Sequence, residues 1–536
     1  MAVGVLAVIA VIAVLTFRDH GLGWDDFTHS QHGELLLSLY SSGFRDTRAL
    51  SFVNLYMYGG GFDMAAALLA KVLPFDLFET RRLAGALVGL IGLFATWRLG
   101  RRIGGARAGL VALMLLATCS LYYGHMFMNP KDVPFAVAMA VFLLGLVRVL
   151  EEYPQPSPMS TLLIGAGLGL AVGSRIMGGF GVLYGLAAVL LIVSLDARVA
   201  GFRAAMGRLA YFTFSLLPGL LMACLLMVLI WPWVALSPLN LPRAIGYFAN
   251  FFEQPWQELF AGALVAVPDM PRTYVPTLLL LQMPEIFLAL GSAGIVGALM
   301  VVCGPDVTPQ RRAVFLSVTL AAILPIVVAV ITRPAMYNGI RHFIFVIPPL
   351  AVLGGFAANW IAERLHRFGR VAVFAAVFVA GIASPVVEMA RLHPYEYVHF
   401  NRLAGGARAA DSRYMLDYWG LSFKQAGEAL RAKLAERGEQ PPSGRKWKIA
   451  VCGPHPPAVA ALGEQFEPTW DPKGADFALM LGAFYCARLD APLLAEVERA
   501  GVTFARAYDI RGRTVQDLFT IPPVERDERM QVPAPR

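Results

Sequence analysis

Charge is what this chain has least of. Of 536 residues only 15% are charged, against 57% hydrophobic, where an ordinary soluble protein carries about 25% charged residues. That excludes a typical soluble enzyme and makes the membrane the first expectation. Cysteine is nearly as sparse, at five residues, so a disulfide framework is ruled out. Cys452 and Cys486 in the tail suit either one bridge, if the tail faces an oxidising compartment, or two inert thiols. No nucleotide-binding fingerprint is present, because the glycines at 59–61, 104–105 and 178–179 lack the required spacing and strand-to-helix setting. A nucleotide cofactor is therefore not expected.

What the chain does have is long apolar runs. A crossing needs about 20 mostly apolar residues, and the candidates are 2–17, 83–99, 106–123, 133–149, 160–173, 178–195, 209–233, 276–302, 313–331, 343–361 and 371–389. The fold expected is thus a polytopic α-helical membrane protein with about eleven transmembrane helices. The first run has neither a basic leader nor a convincing cleavage site and reads as an uncleaved anchor. A further stretch, 55–73, contains glycines and Asp63 and reads as an interfacial segment, since charge in hydrocarbon is expensive.

The net charge of +8 then acquires a meaning. With 55–73 at the interface, Arg98, Arg101, Arg102 and Arg107 fall on the cytoplasmic side, as do Arg198, Arg203 and Arg208, Arg311 and Arg312, and Arg364, Arg367 and Arg370. The basic residues mark topology, and nucleic acid is not an expected partner. The opposite, outer face collects 18–82, 124–132, 174–177, 234–275, 332–342 and the tail from about 390.

Chemistry-bearing residues gather on that outer face. GLGWDDFTHSQHGE, 21–34, sets Trp24 beside Asp25 and Asp26. Paired carboxylates there can accept a proton, hold a cation or bind sugar hydroxyls, and sequence leaves their two roles unassigned. YYGHMFMNPKDVPF, 122–135, adds His125, Lys131 and Asp132. Asp132 suits a helix cap or a second acidic ligand sharing a divalent cation, Mg2+ or Mn2+, with Asp26. Arg175 in GSRIMGG, 173–179, and Arg333, Tyr337, Asn338, Arg341 and His342 in TRPAMYNGIRHF, 332–343, complete the set. Arginine suits multidentate phosphate contacts. Acidic groups to activate a hydroxyl and cations to receive a phosphate, together at one interface, fit a lipid-phosphate sugar donor.

At these loops the sequence resembles the polytopic GT-C glycosyltransferases, in the bacterial branch related to protein O-mannosyltransferases and aminoarabinose transferases, over roughly residues 1–400. The resemblance implies a polyprenyl-phosphate-linked sugar as donor, a periplasmic active site in a bacterial inner membrane, an acidic base in the first outer loop and often a divalent cation. The family's first-loop motif falls on Asp25 and Asp26, as WDD in place of the commoner Asp-Glu. Its second acidic position falls on Asp132, and phosphate handling on Lys131, Arg175, Arg333, Arg341 and His342. Trp24, His125, Tyr337 and Asn338 are the expected substrate contacts. LPFDLFETRRLAG, 73–85, resembles the family's passage into the second span.

The division expected is a catalytic membrane domain over 1–390, including the outer loop 18–82, and a periplasmic α/β domain over 391–536. In the tail, 422–436 reads as a helix, and 446–453, 477–486 and 502–510 as strands. The aromatic stretches 393–401 and 411–420 suit either packing onto the membrane body or an acceptor-binding rim, and 522–536 reads as polar and mobile. The functional expectation is transfer of a sugar to a hydroxyl of a lipid, glycan or protein. A transporter or flippase and a noncatalytic scaffold are the competing readings.

Overall fold

A helix rises 1.5 Å per residue, so about 20 residues cover roughly 30 Å of hydrocarbon. The computed structural model describes residues 1–249, 251 and 256–521, so the expectation for 522–536 lies outside the described residues. Among the described residues eight helices are long and apolar enough to cross: Leu77–Ala117, Asp132–Glu151, Ile176–Ala200, Phe202–Ile230, Glu285–Cys303, Pro309–Thr332, Arg341–His366 and Val371–Leu392. Shorter apolar helices at Ala2–Thr16 and Pro158–Ser174 fill two more expected positions.

The 41-residue run Leu77–Ala117 is two segments. Gly105, at φ 83° and ψ −174°, breaks it in a conformation that only glycine adopts at little cost. The arms fold back on each other, since a Cβ on Gly109 would lie 2.8 Å from the Trp97 carbonyl oxygen and 2.9 Å from Arg101 Cβ. The expected spans 83–99 and 106–123 are these two arms. The chain is thus a polytopic α-helical membrane protein.

Two stretches differ from simple spans. Residues 55–73 form a short turn, Leu55–Met57, and the ten-residue helix Gly61–Ala70, about 15 Å long and too short to cross. The expected span 276–302 is broken, with Tyr274–Gln282 separated from Glu285–Cys303. Pro284 supplies the reason: it has no N–H to continue the ladder and drives Met283 to an extended ψ of 142°.

The tail forms a five-stranded sheet in the order Phe466–Thr469, Trp447–Cys452, Phe477–Leu481, Val502–Asp509, Leu493–Arg499. The first three strands are parallel and the last two join antiparallel. The strands not anticipated, Phe466–Thr469 and Leu493–Arg499, are the two edges. Edge strands are short or charged, which weakens their apolar signal. Helix Phe423–Glu436 buries Phe423, Ala426, Gly427, Leu430 and Leu434 along one stripe. Cys452 and Cys486 are bridged, which decides between the two readings of that pair.

The aromatic stretches after the last span pack inward. Tyr395, Tyr397 and Trp419 are at most 1% exposed, and Asn401 Nδ2 donates to the Leu280 and Met283 carbonyls at 2.7 and 2.8 Å. They seat the tail on the helices; an exposed rim is not what these three rings form.

Candidate active site

The adjacent acids of the first loop part company in the structure. Asp26 opens helix Asp26–Ser41 and is 1% exposed. Its Oδ2 accepts from the Gly23 amide at 2.9 Å and Arg82 Nη2 at 2.6 Å, and its Oδ1 from Arg81 Nε at 3.4 Å. Arg81 Nη2 also donates to Asp63 Oδ1 at 2.7 Å, and Asp63 Oδ2 lies 2.6 Å from His29 Nδ1. Gly33 allows this helix to lie against Asp63, because a Cβ there would sit 2.3 Å from the Asp63 carbonyl oxygen. Burial pushes the Asp63 carboxyl up, but His29 and Arg81 outweigh it and hold it at about 2. Asp26 is therefore a buried anchor between guanidiniums.

Asp25, one residue earlier, keeps 26% of its side chain exposed and has Lys131 Nζ at 3.1 Å from Oδ2. Lys131 also donates to the Tyr58 hydroxyl at 3.2 Å. Burial would raise the Asp25 carboxyl, yet Lys131, Arg341 and His29 outweigh it and hold it well below the usual carboxylate range. Burial works against the Lys131 ammonium, and Asp25 and Tyr58 more than restore it. Asp25 is thus an ionised carboxylate that a ligand can reach.

Asp132 heads helix Asp132–Glu151 and is 1% exposed. Arg175, at the end of helix Pro158–Ser174, pairs with Oδ1, while Arg341 Nη1 and Asn129 Nδ2 donate to Oδ2 at 3.0 and 2.7 Å. Arg341 also lies over the Tyr337 and Trp419 rings, its guanidinium carbon 5.1 and 5.2 Å from their centroids. The Nε atoms of Arg175 and Arg341 have no hydrogen-bond partner. These donors are available to an anion held in the same place.

A second buried acid borders this centre. Glu258, on the hairpin strand Gln257–Phe260, is 1% exposed. Its Oε1 accepts from the Asn338 amide at 2.8 Å and the Tyr274 hydroxyl at 3.4 Å, and its Oε2 has no hydrogen-bond partner. Burial pushes this carboxyl up to about 7 against the pull of the Asn338 and Gly339 amides and Arg341.

The structure brings Asp25, Lys131, Asp132, Arg175, Arg341 and His342 into one charged neighbourhood. Trp24 meets Trp256 and Trp256 meets Tyr337, ring to ring at 6.3 Å each, so three aromatic residues line its edge. Arg333 stands apart: it caps helix Pro309–Thr332 in the left-handed region and donates to the Met270 carbonyl at 3.2 Å. His125 is fully buried between Asn129 at 3.2 Å and the Tyr418 hydroxyl at 3.1 Å. Burial pushes its imidazole down to about 3, leaving it a neutral internal link. Asn338 holds a left-handed turn, φ 56°, and meets Glu258 through its backbone. Asp26 and Asp132, expected to share a cation, are engaged by different guanidiniums. The described residues instead offer His20, His393 and Glu396 as a cluster able to hold a metal ion.

Sequence reading missed Tyr58, Asp63, Arg81, Arg82 and Glu258 as parts of this network. The adjacent arginines at the mouth of an apolar span were the readable signal, because such charges require buried partners.

Residues 62–234 match the family model described as dolichyl-phosphate-mannose-protein mannosyltransferase. No curated protein matches the chain. Among solved structures it is similar to ArnT from Cupriavidus metallidurans in the apo state, at 16% identity and TM-score 0.49, covering 94% of this chain and 97% of that one. The same protein bound to undecaprenyl phosphate matches at 16% identity and TM-score 0.48 over the same shares. The apo oligosaccharyltransferase of Archaeoglobus fulgidus matches at 13% identity and TM-score 0.47, covering 89% of this chain and 65% of that one.

Proposed function

We propose that this chain is a GT-C-type membrane glycosyltransferase that moves a sugar from a polyprenyl-phosphate donor to a hydroxyl of a lipid, glycan or protein. The observation that carries the reading is the reachable, ionised Asp25 beside Lys131, at the same end of the bundle as the Arg175–Asp132–Arg341 cluster. The match of residues 62–234 to a mannosyltransferase family model supports it.

In this reading Asp25 orients the acceptor hydroxyl and takes its proton as the hydroxyl oxygen attacks the anomeric carbon. The bond from that carbon to the phosphate oxygen breaks, and the electron pair leaves with polyprenyl phosphate. Lys131, Arg175 and Arg341 offset the phosphate charge. Because these cations already stand there, a Mg2+ or Mn2+ ion is assigned no step. Trp24, Trp256 and Tyr337 offer ring faces to a sugar.

The face is read as periplasmic, in a bacterial inner membrane. The arginine clusters between the spans favour cytoplasm at the other end, and the Cys452–Cys486 bridge suits an oxidising compartment. The membrane part, 1–390, would carry the chemistry and the tail, 391–536, would stand outside.

The test is transfer from a lipid-linked sugar by purified protein, after a glycan and lipid comparison of cells with and without it has named the missing substituent. Loss of turnover in Asp25→Asn with retained fold is the expected result. Undiminished transfer in Asp25→Asn, Lys131→Met and Asp132→Asn alike would overturn the reading.

A further inference from the structure

The outer ends of the first and last membrane helices meet at a second cluster that plays no part in the proposed transfer. His20 follows helix Ala2–Thr16, and His393 and Glu396 follow helix Val371–Leu392. His20 and Glu396 are 4% and 2% exposed. Glu396 Oε2 lies 3.4 Å from His20 Nε2, and Oε1 lies 2.7 Å from His393 Nδ1.

The far nitrogens of both rings face acceptors. His20 Nδ1 lies 3.3 Å from the Thr16 carbonyl, and His393 Nε2 lies 3.0 Å from Asp19 Oδ2. An imidazole that donates its one proton outward presents a bare lone pair on the other side. With both protons donated outward, each ring turns a lone pair toward a carboxylate oxygen, an arrangement that a cation between them satisfies. An outer carbonyl or carboxylate fixing the tautomer is also the usual support of a metal-binding histidine.

We infer that His20 Nε2, His393 Nδ1 and the Glu396 carboxylate bind a zinc ion, with Asp19 and the Thr16 carbonyl orienting the two imidazoles. Bonds of about 2.0–2.1 Å in a tetrahedron place neighbouring ligand atoms about 3.3 Å apart; His20 Nε2 and Glu396 Oε2 are already 3.4 Å apart, while the 2.7 Å between His393 Nδ1 and Glu396 Oε1 would widen by about 0.6 Å on binding. Two imidazoles and one carboxylate suit zinc better than magnesium, which prefers an all-oxygen octahedron. The side chain of His393, 29% exposed, leaves a path of entry. The ion would clip the first helix to the last and to the tail, where Arg499 Nε donates to the His393 carbonyl at 3.0 Å.

The metal-free alternative is a protonated His393 imidazole between the two carboxylates. The Glu396 and Asp19 carboxylates favour it at His393, overcoming burial and pushing that imidazole up to about 9. Metal content separates the two. Full-length protein purified in detergent without chelator is expected to hold about one equivalent of zinc per chain, and His20→Gln and Glu396→Gln to hold little. Stripping the wild-type protein with a chelator should lower its Tm, and stoichiometric Zn2+ but not Mg2+ should restore it. Wild-type protein without zinc, whose Tm Zn2+ does not move, would leave only an ion-paired histidine cluster and overturn the inference. The strip-and-refill experiment needs no variant to fold, and neither readout involves sugar transfer, so this result and the transferase reading stand or fall separately.

Discussion

Lys131 Nζ stands 3.1 Å from Asp25 Oδ2 and 3.2 Å from the Tyr58 hydroxyl, one residue away from the carboxylate that gathers Arg175 and Arg341. Against burial, the lysine, with Arg341 and His29, lowers the Asp25 carboxyl, and in the proposed transfer it would carry charge toward the departing phosphate. Asp25→Asn should lower turnover by about 100-fold or more with little change in Tm. Lys131→Met should also slow transfer. Without the ammonium, Asp25 moves back up toward the usual carboxylate range, so activity in that variant should fall as the pH is lowered through that range. A pH–rate profile of the two proteins checks this.

Asp26 behaves oppositely. Its partners are buried, so Arg82→Met leaves the carboxylate only Arg81 at 3.4 Å and the Gly23 amide at 2.9 Å, and should cost about 2–3 kcal/mol of stability, less than a fully unpaired buried charge. Thermal unfolding in detergent is the measurement, and the surviving folded fraction should still transfer.

Arg341→Lys and Arg175→Lys keep the charge but lose the planar fork. Each should raise the KM for the lipid-linked donor about 10-fold, close to 1.4 kcal/mol, while leaving the acceptor KM nearly unchanged. Equal effects on both substrates would remove these arginines from the phosphate.

Glu258 gives a stability signature. Its folded value of about 7 lies above the ordinary 4.5, so its contribution is fully present below pH 4.5 and is lost as pH rises through 7. The loss is on the order of 3 kcal/mol. Glu258→Gln, neutral throughout, should flatten this part of the Tm-against-pH curve; an unchanged slope would place the titration elsewhere.

The membrane helices were legible because hydrocarbon leaves a strong, additive mark: every crossing must be apolar over its whole length. The break before Glu285 shows the limit, since hydropathy runs smoothly across Met283 and Pro284 while the backbone does not. In the candidate site, the residue types of the outer loops pointed to Asp25, Lys131, Asp132, Arg175, Arg341 and His342, which the structure brings together. The different settings of Asp25 and Asp26 were not readable, because they depend on Arg81 and Arg82, which lie 55 and 56 residues from Asp26 in the chain. Arg333 and Arg341 looked alike in one loop, and only the left-handed turn at Arg333 sends the first away to Met270.

Asp132 gathers Asn129 from its own loop, Arg175 from the end of Pro158–Ser174 and Arg341 from the approach to another helix. Three stretches of chain therefore answer to a single anion. Replacement of any one guanidinium changes the charge balance felt by the other, so substitutions at 132, 175 and 341 should be non-additive in double-mutant cycles.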